Sequence, residues 1–271
     1  MLSLLVGGLL SGLDRKISAH MQGRQGPPVL QPFYDVIKLF GKERIAVNPM
    51  QDVYAAGFLL FMAASVVMLF TGQDLLMLTF VSAFGNVSLV MGAMSVRSPM
   101  SRVGAQREIL QLMAAEPVIL LTAVGLYLSK GSFLISAARH GSTPLIASLP
   151  LQFVALLIVL TIKLRKSPFD FSTSHHGHQE LIKGLTMEYS GAQLAVIEVG
   201  EWLETVLLLG VVGLYWAVPW YAGVLLALAS YFIEITVDNI SARTTWNWML
   251  KFVAVFGLGL SVVNIIWLVL R

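Results

Sequence analysis

Apolar residues in this 271-residue chain come in long unbroken runs separated by short polar stretches. The runs Tyr54–Thr71, Leu75–Val96, Ile109–Leu128, Ile146–Leu164, Tyr189–Leu214, Val218–Ile235 and Trp246–Leu270 predict helices. Most approach the roughly 20 residues that carry a helix across a hydrocarbon core. A membrane β-barrel requires short segments of alternating polarity, which these runs lack. Met1–Leu13 is also apolar, but 13 residues at ~1.5 Å rise reach only about 20 Å. A signal peptide fits poorly, because a charged leading region and a small-residue cleavage site before Asp14 are both missing. The segment reads as the inner part of a first membrane helix, either short or lacking residues at its start.

The polar stretches fix a topology. With eight spans and an outside N-terminus, all but three of the 18 lysines and arginines fall on one side, leaving Lys130, Arg139 and Arg271 on the other. The positive-inside rule makes the rich side cytoplasmic. The expected architecture is an all-α integral membrane protein of about eight transmembrane helices. Residues 1–271 form a single polytopic domain with cytoplasmic loops 14–52, 97–108 and 163–188. Its expected location is the cell (inner or plasma) membrane. After Pro32, the residues Phe33, Val36, Ile37 and Phe40 recur at helical spacing, which predicts a short amphipathic helix lying along the membrane surface.

Composition adds exclusions. Apolar residues make up 56% of the chain and charged ones 12%, so it falls outside the range of soluble domains. The net charge of +3 reflects the loop bias and gives no reason to expect nucleic-acid binding. Cysteine is absent, so disulfides, cysteine-ligated clusters and thiol nucleophiles are excluded from this chain. No phosphate loop, nucleophile elbow or helical zinc motif occurs, and no catalytic residue or metal site is assigned.

The candidate chemistry lies in acids within apolar runs, where a carboxylate costs about 2.5–3.5 kcal/mol on insertion scales. Glu198, Glu201 and Glu204 follow i, i+3 spacing and form one slanting stripe that must face other helices or a hydrated cavity. Glu116 precedes Pro117, so it reads either as the polar part of a kink or as a functional carboxylate. Glu234 adds an acid near the cytoplasmic end of the seventh span. The polar turn Asp238, Asn239 and Arg243 reads mainly as structural. In the loop before the glutamate helix, His175, His176 and His178 precede Glu180. That set permits a metal, a proton relay or contact with a partner, since imidazole titrates near neutrality.

Two stretches match one family in order and spacing. GRQGPPVLQPFYDVIKLFGKE (23–43) and SPFDFSTSHHGHQELIKGLTMEYSG (167–191) resemble the two loop signatures of the respiratory complex I subunit that holds the quinone-site membrane helices (the NADH dehydrogenase subunit 1 family). Gly200-Glu201 falls where that family has a helix glutamate, and Arg243 corresponds to its arginine after span seven. The departures, HHGHQ in the second loop, the paired prolines in the first and DNISAR at 238–243, resemble the counterpart subunit of energy-converting, membrane-bound NiFe hydrogenases of the ferredoxin-linked or formate hydrogenlyase type.

That resemblance implies a non-catalytic membrane anchor and ion-path subunit. It would link electron transfer and H₂ evolution in a soluble arm to proton or sodium translocation. Implied partners are a NiFe large subunit and a small iron–sulfur subunit on the cytoplasmic side, antiporter-like membrane subunits, and the bilayer. The NiFe centre and iron–sulfur clusters would reside in those partners, and none in this chain. Arg24, Asp35, Lys38, Asp170, His175, His176, His178, Glu180 and Arg243 would lie in docking loops. Glu116, Glu188, Glu198 and Glu201 would line the acidic route; Glu204 and Glu234 join it on burial chemistry alone. The alternative is a quinone-chamber subunit of a proton-pumping, NADH dehydrogenase-like complex.

Overall fold

A computed structural model describes residues 2–43, 48–140, 143–169 and 183–270. Twelve α-helices occur among them: α1 (Leu2–Met21), α2 (Gln31–Phe40), α3 (Met50–Thr71), α4 (Leu75–Met94), α5 (Pro99–Lys130), α6 (Ile135–His140), α7 (Leu145–Ser148), α8 (Pro150–Lys163), α9 (Gly191–Gly213), α10 (Trp220–Ile240), α11 (Trp246–Phe252) and α12 (Gly259–Leu270). The described residues include no strand, only an isolated bridge between Asp74 and Leu134. The protein is all-helical, as the apolar runs predict.

Among the described residues, five helices are long and apolar enough to cross a membrane: α3, α4, α5, α10 and the continuous stretch Trp246–Leu270. The other three of the eight expected spans differ for identifiable reasons. The first helix runs to Met21 and so carries Asp14, Arg15 and Lys16 within its length. α9 has the length but holds three glutamates. The predicted Ile146–Leu164 span is broken at Leu149, because Pro150 cannot donate to the preceding turn, and α8 begins there with 14 residues.

Two loop boundaries need correction. Residues 14–21 of the expected loop 14–52 continue α1, and most of loop 97–108 is the opening of the 32-residue α5. The polar residues there sit on helix turns, so polarity alone misplaces the boundary.

Three helix ends share one device. α1 and α3 stop in Schellman turns. Arg24 N–H bonds Ala19 O and Gly23 N–H bonds His20 O; Gln73 N–H bonds Met68 O and Gly72 N–H bonds Leu69 O. Both turns place glycine at positive φ, where no Cβ penalty arises. α8 ends in the same motif, with Lys166 N–H to Thr161 O and Arg165 N–H to Ile162 O. Its left-handed residue is Arg165, at φ 53°. A side chain in that region costs about 1–2 kcal/mol, so the turn is held by its surroundings.

The chain forms two compact units. The first comprises Met1–Val66, Ser82–Leu110 and Phe171–Val206. In its core, Val36 of α2 and Ala195 and Trp202 of α9 pack with Phe33, Leu39 and Val199. The predicted amphipathic α2 is present, with Pro32 and Val36 buried and Ile37 and Phe40 exposed. The second comprises Val67–Val81, Gln111–Asp170 and Leu207–Arg271. There Ala115, Val118 and Ile119 of α5 pack on Ala155 and Val159 of α8. Ala114, Ile162 and Phe169 meet Met249 and Val253. Between α11 and α12 the helix widens into a π-helical segment, Val253–Leu258.

Candidate functional site

In the first unit the candidate acids sit on and before α9. Gly191 opens the helix at φ +53°, close against the carbonyls of Lys42 and Glu43, so glycine serves both geometry and space. Gln193 Nε2 donates to Asp52 Oδ1 at 2.5 Å, tying the start of α9 to the start of α3. Just before the helix, Glu188 is half-buried, and the Tyr189 hydroxyl is buried against Gly92. Burial raises the Tyr189 pKa above the ordinary phenol value, so the hydroxyl stays neutral and available to donate.

Further along, Glu198 and Glu201 are half-buried, whereas Glu204 is buried at 8% exposure. Asn86 Nδ2 on α4 donates to Glu204 Oε1 at 3.0 Å. This satisfies part of a carboxylate that would otherwise be costly in an apolar span. Gly200 lets α9 approach α3 closely, since a methyl group there would run into the Phe58 ring. Two residues further along α9, the Trp202 and Phe33 rings pack edge-on at 5.1 Å. The glutamate face is thereby held at a fixed rotation by a backbone contact and an aromatic one.

Glu116 and Glu234 belong to the second unit, each within a charged group. Lys163 Nζ reaches Glu116 Oε1 at 2.6 Å, with side chains 8% and 19% exposed. Glu116 is therefore half of an ion pair between α5 and α8. Glu234, only 2% exposed, lies one turn from Asp238 on α10, and Thr161, Lys166 and Asp238 surround its carboxylate. Asp238 accepts the Ser167 N–H at 2.8 Å and stands 3.9 Å from Lys166 Nζ. Lys166 is itself buried and lies 5.6 Å from the Tyr231 ring centroid, within cation–π range. The strained Schellman turn at Arg165 leads directly into Lys166. The polar turn at 238–243 thus contributes a carboxylate to a buried ionic cluster, beyond the structural role its sequence suggests.

Sequence reasoning missed Lys163, Lys166 and Asn86. The two lysines read as topological markers, and a single asparagine in an apolar run carries no spacing signal. Of the expected docking residues, Arg24 is exposed and hydrogen-bonds Gln22, Lys38 is exposed, and Asp35 pairs with Arg15 at 2.8 Å and accepts from Gln31. Arg243 is exposed in the link between α10 and α11. Asp170, His175, His176, His178 and Glu180 lie outside the described residues. Among the described residues, no group of three or more histidines and acids could hold a metal ion.

Buried acids, each held by an amide or a lysine on helices of a hydrophobic protein, accord with the resemblance of the loops. The profile of the family described as NADH dehydrogenase matches residues 1–269. The chain belongs to this family. Its relatives include formate hydrogenlyase subunit 4 of Escherichia coli, 29% identical over 264 residues, which cover 86% of this chain and 82% of that one. NADH-ubiquinone oxidoreductase chain 1 of Myxine glutinosa is 28% identical over 152 residues, covering 48% of this chain and 46% of that one. Family membership thus spans proteins named for two kinds of complex. The fold is also that of a chain in the membrane-bound sulfane sulfur reductase, an archaeal respiratory membrane complex. That chain superposes at a TM-score of 0.87 with 22% identity, covering 98% of this chain and 95% of that one.

Proposed function

We propose that this protein is the membrane-anchoring and ion-path subunit of a multisubunit, membrane-bound NiFe hydrogenase. In this reading it links electron transfer and H₂ evolution in a soluble arm to proton or sodium translocation. The observation that carries it is the similarity to formate hydrogenlyase subunit 4 along most of both chains. The site supports it: Glu204 with Asn86, and Glu116 and Glu234 with Lys163 and Lys166, are intramembrane ionisable groups with defined partners. Such groups mark charge pathways by default. Glu188, Glu198 and Glu201 would extend the route along the start of α9. The docking surface would comprise Arg24, Asp35, Lys38 and Arg243 together with the 170–180 segment. The partners would be a NiFe large subunit and a small iron–sulfur subunit on the cytoplasmic face, with antiporter-like subunits in the membrane. Nickel and the clusters would belong to those partners, since this chain has no cysteine to ligate them.

The second reading, a quinone-chamber subunit of a proton-pumping complex, draws on the similarity to the NADH-ubiquinone oxidoreductase of Myxine glutinosa. One assay of the purified complex separates the two. Hydrogen evolution from reduced ferredoxin or formate supports the hydrogenase reading; inhibitor-sensitive quinone reduction without hydrogen evolution supports the other.

A further inference from the structure

The ionic cluster at the end of α10 has an unbalanced charge count. Glu234 and Lys166 are buried, whereas the Asp238 side chain is 30% exposed and reaches solvent. Lys166 Nζ stands 3.9 Å from Asp238 Oδ2, and the Ser167 N–H donates to Asp238 Oδ1 at 2.8 Å. Lysine and aspartate therefore form a neutral pair. The charged groups that face Glu234 are these same two, and they cancel. An ionised Glu234 would leave one uncompensated negative charge in the interior, which is costly. Its Oε2 has no hydrogen-bond partner, so nothing there replaces the water a carboxylate loses on burial.

The direction of the hydrogen bonds points the same way. The Thr161 hydroxyl on α8 bonds Leu157 O at 3.2 Å, and it must be the donor, since a carbonyl can only accept. The Thr161 and Glu234 side chains are also hydrogen-bonded to one another. With its proton given to Leu157, the threonine oxygen is left to accept, and the Glu234 carboxyl to donate. A carboxyl donates only when it carries a proton.

We propose that Glu234 is a proton-binding site, holding one exchangeable proton that passes to and from solvent by way of Asp238, one turn along α10. This role rests on the ion-path reading of Glu234 and adds to it the identity of the ion, H⁺. Sodium is a poor occupant. The site offers too few oxygens to replace a hydration shell, and the Lys166 ammonium already supplies a positive charge beside it. When the proton moves to Asp238, Glu234 is left as a carboxylate and Lys166, on its flexible stem, serves as counter-charge. The Tyr231 ring, 5.6 Å from Lys166 Nζ, keeps the ammonium in place by cation–π attraction.

Infrared difference spectra of the purified complex, recorded on exchange from H₂O to D₂O at neutral pH, read the occupant directly. The expected result is a C=O band of a protonated carboxylic acid that shifts on deuteration and is unmoved by added sodium. It should change frequency in Thr161→Val and be absent in Glu234→Gln. Proton uptake into liposomes, measured per hydrogen evolved, should be lost in Glu234→Gln. If uptake is lost in that variant but the parent shows no such band, or sodium removes it, the proton assignment is overturned while Glu234 stays on the path. Uptake equal to that of the parent takes Glu234 off the path and overturns both.

Discussion

Replacing Lys163 with Met removes one half of a partly buried ion pair and leaves Glu116 facing an apolar side chain. At 2.6 Å, and with an effective dielectric near 20, the attraction is roughly 6 kcal/mol. The 19% exposure of Glu116 admits some solvent screening. Desolvation of both groups opposes the attraction, so a loss of about 3 kcal/mol is expected. Glu116→Gln costs less, because the amide remains a hydrogen-bond acceptor for Lys163. The double variant Lys163→Met with Glu116→Gln should recover at least half of the single-variant loss, since no unpaired charge remains. Thermal unfolding of the detergent-purified complex, followed by the release of this subunit, reads all three. Additive losses, or a Lys163→Met variant as stable as the parent, would refute the assignment of Glu116 and Lys163 as a coupled pair.

Three further outcomes follow from particular contacts. Asn86→Leu withdraws an amide donor from buried Glu204 and should destabilise by about 1–3 kcal/mol; Asn86→Gln, which can still donate, should cost less in the same unfolding assay. Gly200→Ala pushes a methyl group into the Phe58 ring and should cost about 1–3 kcal/mol. Pairing it with Phe58→Leu should relieve part of that loss. Arg165→Val forces a β-branched residue into the left-handed turn and should cost about 1–3 kcal/mol, while Arg165→Gly should be tolerated. Equal melting temperatures for the two would show that the turn is not strained.

Much of this arrangement is legible in the chain because it is written in period and length. The apolar runs place most of the helices, Pro32 and the spacing of Phe33 and Val36 place α2, and i, i+3 spacing places the three glutamates on one side of α9. What stays hidden depends on contacts between distant residues. Lys163 and Lys166 look like ordinary cations after a span; Lys163 is enclosed by a contact with distant Glu116, and Lys166 follows a Schellman turn built without glycine, which leaves no sequence mark. Asn264 caps a helix more than a hundred residues away, so no local pattern announces it. The continuation of α1 past Asp14 and the early start of α5 escape notice because charged residues are compatible with helix turns and with loops. The histidine segment, the most distinctive local motif, lies outside the described residues.

The central claim is that the acids of α9 carry ions coupled to a redox arm, and Glu201→Gln tests it most directly. Gln keeps nearly the same volume and hydrogen-bonding reach but cannot exchange a proton or balance a cation. In the purified complex reconstituted in liposomes, coupled ion uptake should be lost, while hydrogen evolution in detergent should retain most of its rate. Undiminished ion uptake at unchanged hydrogen evolution would contradict the claim.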